Sequence, residues 1–319
     1  MNRDALERHQ VWGYLAAIAA GLALGSLAPG TASLLERVLW PALAWLMFTT
    51  FTQIPLGQLP AALKDVRFVS AALIGNFVFL PMVVWGLLAW VPDHAPIRLG
   101  LVLVLLVPCT DWFIAFAHQG GGDARRATTL TPVLLIAQMV LLPVYLWLFM
   151  GPAYVNIVPM QRMASVFVII IIVPLVLAFL TQRFCGQHNA RARIVERLGW
   201  CPIPTLAFVL LLIAASQVHA VIDSIHLMSE VVVACVLFLV AAVVGSILLA
   251  RAARLPVEQA RTLLFSMGTR NSFVVLPFAL ALPAAEQLAA IVIVLQSLVE
   301  LVGMLILLWL VPRRLLPRG

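Results

Sequence analysis

The chain of 319 residues is 63% hydrophobic and only 10% charged, which is more apolar side chain than a water-soluble domain of this length can hide. The formal net charge of +7 would otherwise point to nucleic acid. In so apolar a chain the placement of the charges matters more than their sum, and no nucleic-acid partner is expected. The remaining class is a polytopic membrane protein with the lipid bilayer as its main solvent, because apolar runs of about 20 residues recur along the sequence.

The first run, Val11 to Ala28, is longer than the core of a secretory signal and reads as a retained span. Further spans are predicted at 36–54, 67–91, 98–118 and 125–150, then at 164–182, 199–219, 229–250, 258–282 and 287–312. Trp12, Trp40, Trp90, Trp147, Trp200 and Trp309 fall near their ends, where interfacial indoles are favoured. Threaded through ten spans, sixteen of the 20 Lys and Arg residues face the side of the N-terminus. Arg37, Arg98 and Arg162 face the other side, and Arg270 lies inside a span. By the positive-inside rule both termini are then cytoplasmic, in a bacterial-type inner membrane.

Ten spans divide into 1–151 and 152–319, and corresponding span centres are separated by about 160 residues throughout, the pattern of an internal repeat. Five is odd, so the second unit must be inverted in the membrane. The expected fold is all-α, with ten transmembrane helices as two inverted five-helix repeats.

The fourth span is interrupted at Pro108-Cys109-Thr110-Asp111, and the ninth at Gly268-Thr269-Arg270-Asn271. Proline removes an amide donor and clashes with the preceding turn. Non-helical backbone at membrane depth survives only where protein or a wet cavity satisfies it. Matched interruptions in two repeats therefore place a binding site near the bilayer midplane. An ionisable side chain there costs roughly 2.5–3.5 kcal/mol on insertion scales, and the two breaks carry opposite charges, Asp111 and Arg270. They are expected to pair, either as a fixed ion pair fastening the crossing or as a switchable pair in which Asp111 exchanges a proton.

Other polar residues at this depth are Asn76, Gln138, Gln296 and Glu300. Gln296 and Glu300 are four residues apart and share a helix face. The amides read either as glue between helices or as ligands, whereas Glu300 carries a charge and is read as a proton or cavity group. The cysteines Cys109, Cys185, Cys201 and Cys235 show no paired or CxxC spacing, so neither a disulfide framework nor a metal centre is expected, and no cofactor. Cys235 reads as a small apolar residue. Cys109, beside Thr110 and Asp111 in the break, suits a soft, thiophilic solute such as trivalent arsenic or antimony.

The stretch "PCTDWFIAFAHQGGGD", residues 108–123, resembles the arsenite permeases of the bile acid:sodium symporter and arsenite permease superfamily. These carry a similar Pro-Cys-Thr followed by a His and a Gly-Asp. The resemblance implies ten spans in two inverted repeats, with broken, crossing helices 4 and 9 in a core domain beside a smaller panel domain. It maps the substrate-linked cysteine onto Cys109. The second break departs from the sodium-coupled pattern: Ser266 stands in place of a sodium-binding glutamate, and Arg270 puts a cation where sodium needs oxygen ligands. It also departs from the arsenite branch, whose Asn-Asn-Phe-Glu is here Asn271-Ser272-Phe273-Val274. The candidate binding residues are thus Cys109, Thr110, Asp111, Ser266, Gly268, Thr269, Arg270, Asn271, Glu300, Gln138 and Asn76. The expected function is proton-coupled efflux of arsenite or antimonite, with sodium coupling doubtful. The alternative is an organic-anion carrier that uses Arg270 as its carboxylate partner. An enzyme is not expected, since no HExxH, GxSxG, P-loop or GxGxxG motif with suitable flanks occurs.

Overall fold

The computed structural model describes residues 3–27, 32–54, 64–91, 93–110, 112–157, 165, 167–185, 189–216, 225–282 and 288–317. Within them the protein is all-helical. The first half comprises α1 (Arg3–Leu27), α2 (Ala32–Phe51), α3 (Val66–Leu88), α4 (Ala95–Leu105), α5 (Trp112–Gln119) and α6 (Ala124–Ile157). The second half comprises α7 (Val173–Cys185), α8 (Asn189–Leu198), α9 (Pro202–Ser216), α10 (Ile225–Ala252), α11 (Val257–Gly268), α12 (Ser272–Ala281) and α13 (Leu288–Leu310). Among the described residues six helices are long and apolar enough to cross a membrane, and Trp12–Leu27 and Ala95–Leu105 are shorter apolar helices. Large apolar side chains such as Met82, Trp85, Val140 and Leu180 are exposed, a surface suited to lipid rather than water.

Helix ends depart from the predicted span ends at several places, and two of the departures carry a local feature. The span expected at 164–182 continues to Cys185, where Arg183 in the last turn complements the negative helix end. The span expected to stop at 150 is followed by Gly151 at φ 71°, ψ 174°, and helix resumes to Ile157.

The chain divides into two compact units. The first holds residues 1–53 and 160–226. In it α9 packs against both α1 and α2, and α2 also packs against α7. Gly21 and Gly25 lie one turn apart on α1. A Cβ at Gly21 would run into Leu211 O and Ala214, and one at Gly25 into Ala215 O. This is the small-xxx-small contact that lets helix backbones approach in a membrane. Gln182 Nε2 donates to Phe51 O at 3.2 Å and Thr52 O at 2.8 Å, which serves carbonyls that the end of α2 leaves without helical partners. Gly25→Leu is expected to destabilise the protein by about 1–3 kcal/mol through overpacking. Gly13→Leu, with open space around its Cβ position, is the control, and unfolding of both in detergent checks the contrast.

The second unit holds residues 54–159 and 227–319. Here α4 lies along α13 and is buried nearly all round, as expected of a helix apolar on every face. Gly100 permits that approach, since a Cβ there would sit 2.8 Å from Ala289 O and 2.7 Å from Val292 Cβ. α3 carries a π-helical segment at Gly75–Phe79, the kind of one-turn irregularity that re-aims side chains at functional sites. Pro81 has no amide to offer the carbonyl of Phe77 four residues back, and Tyr145 Oη donates to it at 2.6 Å instead.

At one end of this unit Arg261, buried on α11, ties three segments together. Its Nε and Nη2 donate to Leu316 O at 3.1 and 2.8 Å, and Nη1 donates to Gly121 O at 3.0 Å. Gly121 has φ +70°, and a Cβ there would meet Arg261 Nη1 at 2.5 Å. Next to it Arg126 bonds Asp65 at 2.6 Å and Asp123 at 2.5 Å. Burial alone would raise the Asp123 carboxyl, but the Arg126 amide and guanidinium outweigh it and hold it below the usual range.

Candidate functional site

Both predicted helix breaks are present within the second unit. α4 ends at Leu105 and α5 begins at Trp112, while α11 ends at Gly268 and α12 begins at Ser272. The breaks are joined backbone to backbone. Cys109 N donates to Thr269 O at 3.2 Å and Asn271 N donates to Val107 O at 2.8 Å, forming an isolated antiparallel bridge centred on Pro108 and Arg270. The amides and carbonyls freed by each interruption thus satisfy the other, which is how non-helical backbone survives away from water.

Side chains reinforce the joint. Asn271 Oδ1 caps α12 by accepting from Val274 N at 3.3 Å, and its Nδ2 donates to Thr110 Oγ1 at 3.0 Å. Thr269 turns its hydroxyl back to Phe265 O at 2.7 Å. Gly268 leaves room for Met304, whose Cε would stand 2.9 Å from a Cβ. Cys109, Thr110, Ser266, Thr269 and Asn271 are all buried.

Arg270 is the largest fully buried side chain of the described residues, 2% exposed. Its Nη2 donates to Asn76 Oδ1 at 2.6 Å, Met267 O at 2.8 Å and Ser266 O at 3.1 Å, and Nη1 donates to Leu105 O at 3.3 Å. The guanidinium carbon lies 5.4 Å from the centroid of the Phe238 ring, contributed by α10. Leu105, Ser266 and Met267 lie in the last turns of α4 and α11, where helix carbonyls lack intrahelical donors and the helix dipole is negative. One guanidinium therefore caps both half-helices. Asn76, on the π-helical segment of α3, is fixed by Nδ2 bonds to Ala72 O at 3.0 Å and Ser266 Oγ at 3.2 Å.

Glu300 enters from α13. Its Oε2 accepts from the Arg270 backbone amide at 2.9 Å and from Gln296 Nε2 at 2.8 Å, and Gln296 Oε1 in turn accepts from Ser272 Oγ at 3.0 Å. The carboxylate holds the middle of the second break and reaches the start of α12 through one amide.

The structure thus brings together Asn76, Cys109, Thr110, Ser266, Gly268, Thr269, Arg270, Asn271 and Glu300. Gln138 is not joined to them: it is 1% exposed, and neither amide atom has a hydrogen-bond partner among the described residues. Asp111 lies outside the described residues, and with it the expected pair with Arg270. The described partners of the guanidinium are neutral oxygens, and the nearest described carboxylate contact of this residue is made by its backbone. Phe238 and the carbonyls of Leu105 and Met267 were not anticipated. Backbone oxygens leave no trace in a sequence, and a phenylalanine in an apolar helix reads as packing.

Comparison with known proteins gives one family: the model of the Sodium Bile acid symporter family matches residues 40–224. No curated protein matches the chain.

Proposed function

The chain belongs to the sodium bile acid symporter family, a family of membrane transporters, and from that premise we propose that it extrudes trivalent arsenic or antimony hydroxides in exchange for protons. The supporting observation is Cys109, a buried thiol that follows Pro108 in a break joined backbone to backbone with the second break. A thiolate is the soft ligand that suits these elements, and Thr110 supplies an adjacent hydroxyl oriented by Asn271. Arsenite is largely an uncharged trihydroxide near neutral pH, so membrane potential cannot expel it. Exchange with an incoming proton can. Asp111, next in sequence, is the proton-exchanging group of this reading, and Glu300 is a second carboxylate within the same network.

In this proposal the ten spans form two inverted five-helix repeats, 1–151 and 152–319, with both termini cytoplasmic in a bacterial-type inner membrane. The family description favours a second reading, an organic-anion carrier with Arg270 as carboxylate partner. Against it, both Nη atoms of Arg270 are already engaged by four protein oxygens. Everted membrane vesicles energised by a pH gradient separate the two. Arsenite is expected to accumulate while a radiolabelled steroid carboxylate does not. Accumulation of the carboxylate with no arsenite movement would replace the first reading by the second.

A further inference from the structure

The Arg270 side chain is enclosed by oxygens from three helices, and we infer that its guanidinium is a tethered cation filling a cation-binding cage. While Arg270 is present the cage takes no free sodium. With the side chain removed it binds a free monovalent cation.

Four oxygens converge on the two Nη atoms: Asn76 Oδ1 from α3, Leu105 O from α4, and Ser266 O and Met267 O from α11. Three of them are helix-terminal carbonyls, so two negative helix ends point at the same small volume. Unwound backbone carbonyls and half-helix C-terminal ends are the groups that replace the water shell of an alkali cation inside a membrane. The Phe238 ring face closes another side, an arrangement that attracts any cation. Glu300 accepts from the Arg270 backbone amide and adds a carboxyl group to the surroundings of the cluster. The Asn76 amide is turned so that its oxygen faces the cage, because its nitrogen is committed to Ala72 O and Ser266 Oγ.

The occupant is covalently bound and stays protonated at any physiological pH. It cannot be released to either side of the membrane, so it cannot carry the energy of a sodium gradient. The consequence concerns coupling and holds whichever solute is moved.

The test is thermal unfolding of the purified full-length protein in detergent, in sodium chloride and in choline chloride. The wild-type midpoint is expected to agree in the two salts within about 1 °C, since a ligand that does not bind the native state does not stabilise it. Arg270→Ala, which strips the charge from a satisfied buried cage, is expected to lose roughly 5–10 °C in choline. Adding guanidinium at about 10 mM, far below denaturing strength, or sodium at about 100 mM should restore at least half of that loss without moving the wild type. Restoration by either cation supports the cage. A midpoint of Arg270→Ala equal to wild type in choline overturns the inference, as does failure of both cations to restore it. If Arg270→Ala yields no folded protein, the wild-type arm and Arg270→Lys, which keeps a tethered charge, still decide. Sodium-dependent stabilisation of either one overturns the inference. Because the readout involves no transported solute, its failure is separate from failure of the arsenite reading.

Discussion

Replacing Cys109 by alanine is expected to lower proton-driven arsenite extrusion by at least about tenfold, since losing even the outer-shell partner of a ligand commonly costs that much. The same change should leave folding nearly intact. Cys109 enters the joint through its backbone amide, which donates to Thr269 O, and alanine keeps that amide. The thiol is the part that differs, and a soft ligand has no counterpart in a methyl group. Cys109→Ser replaces it with a hard hydroxyl and should fail similarly. Cys235→Ala is the control, since Cys235 is buried on α10 and reads as a small apolar residue. The check is the initial rate of arsenite uptake into everted vesicles, normalised to protein. Wild-type rates in Cys109→Ala would remove the thiol from the mechanism.

The second large effect is structural and falls on Glu300. Its Oε2 serves two buried donors, the Arg270 amide and Gln296 Nε2. Alanine leaves both unsatisfied and removes a carboxylate from the surroundings of a buried guanidinium. The combined cost is expected to be roughly 3–5 kcal/mol. Glu300→Gln keeps an acceptor oxygen but loses the charge-assisted part of each bond, so about 1–2 kcal/mol is expected. Denaturant unfolding of the two variants measures the difference. Equal stability of Glu300→Ala and wild type would mean that the carboxylate does not hold the second break.

The two helix breaks were legible because each violates its surroundings. Pro108 cannot continue a helix, and Gly-Thr-Arg-Asn stands where Leu and Val would pack. Asn76 and Glu300 were legible for the same reason, as polar groups that apolar helices do not carry without cause. The partnership of Arg270 was not. Its oxygens are mostly main-chain carbonyls, and any residue at 105 or 267 would present the same group. The Gly21–Gly25 contact has a sequence signature, a GxxxG in an apolar run, but the signature does not name the helix that packs on it, which the structure shows to be the one carrying Leu211, Ala214 and Ala215. Gln138 was expected to share the depth of the site, but depth alone does not set direction. The helix face that an amide occupies depends on packing that one sequence does not specify.

Transport in proteoliposomes under separate ion gradients tests the central claim most directly. With a pH gradient and sodium wholly replaced by choline, the purified protein should drive arsenite uphill, and an imposed sodium gradient without a pH gradient should not. Arsenite or carboxylate movement that requires the sodium gradient and ignores the pH gradient would contradict the account.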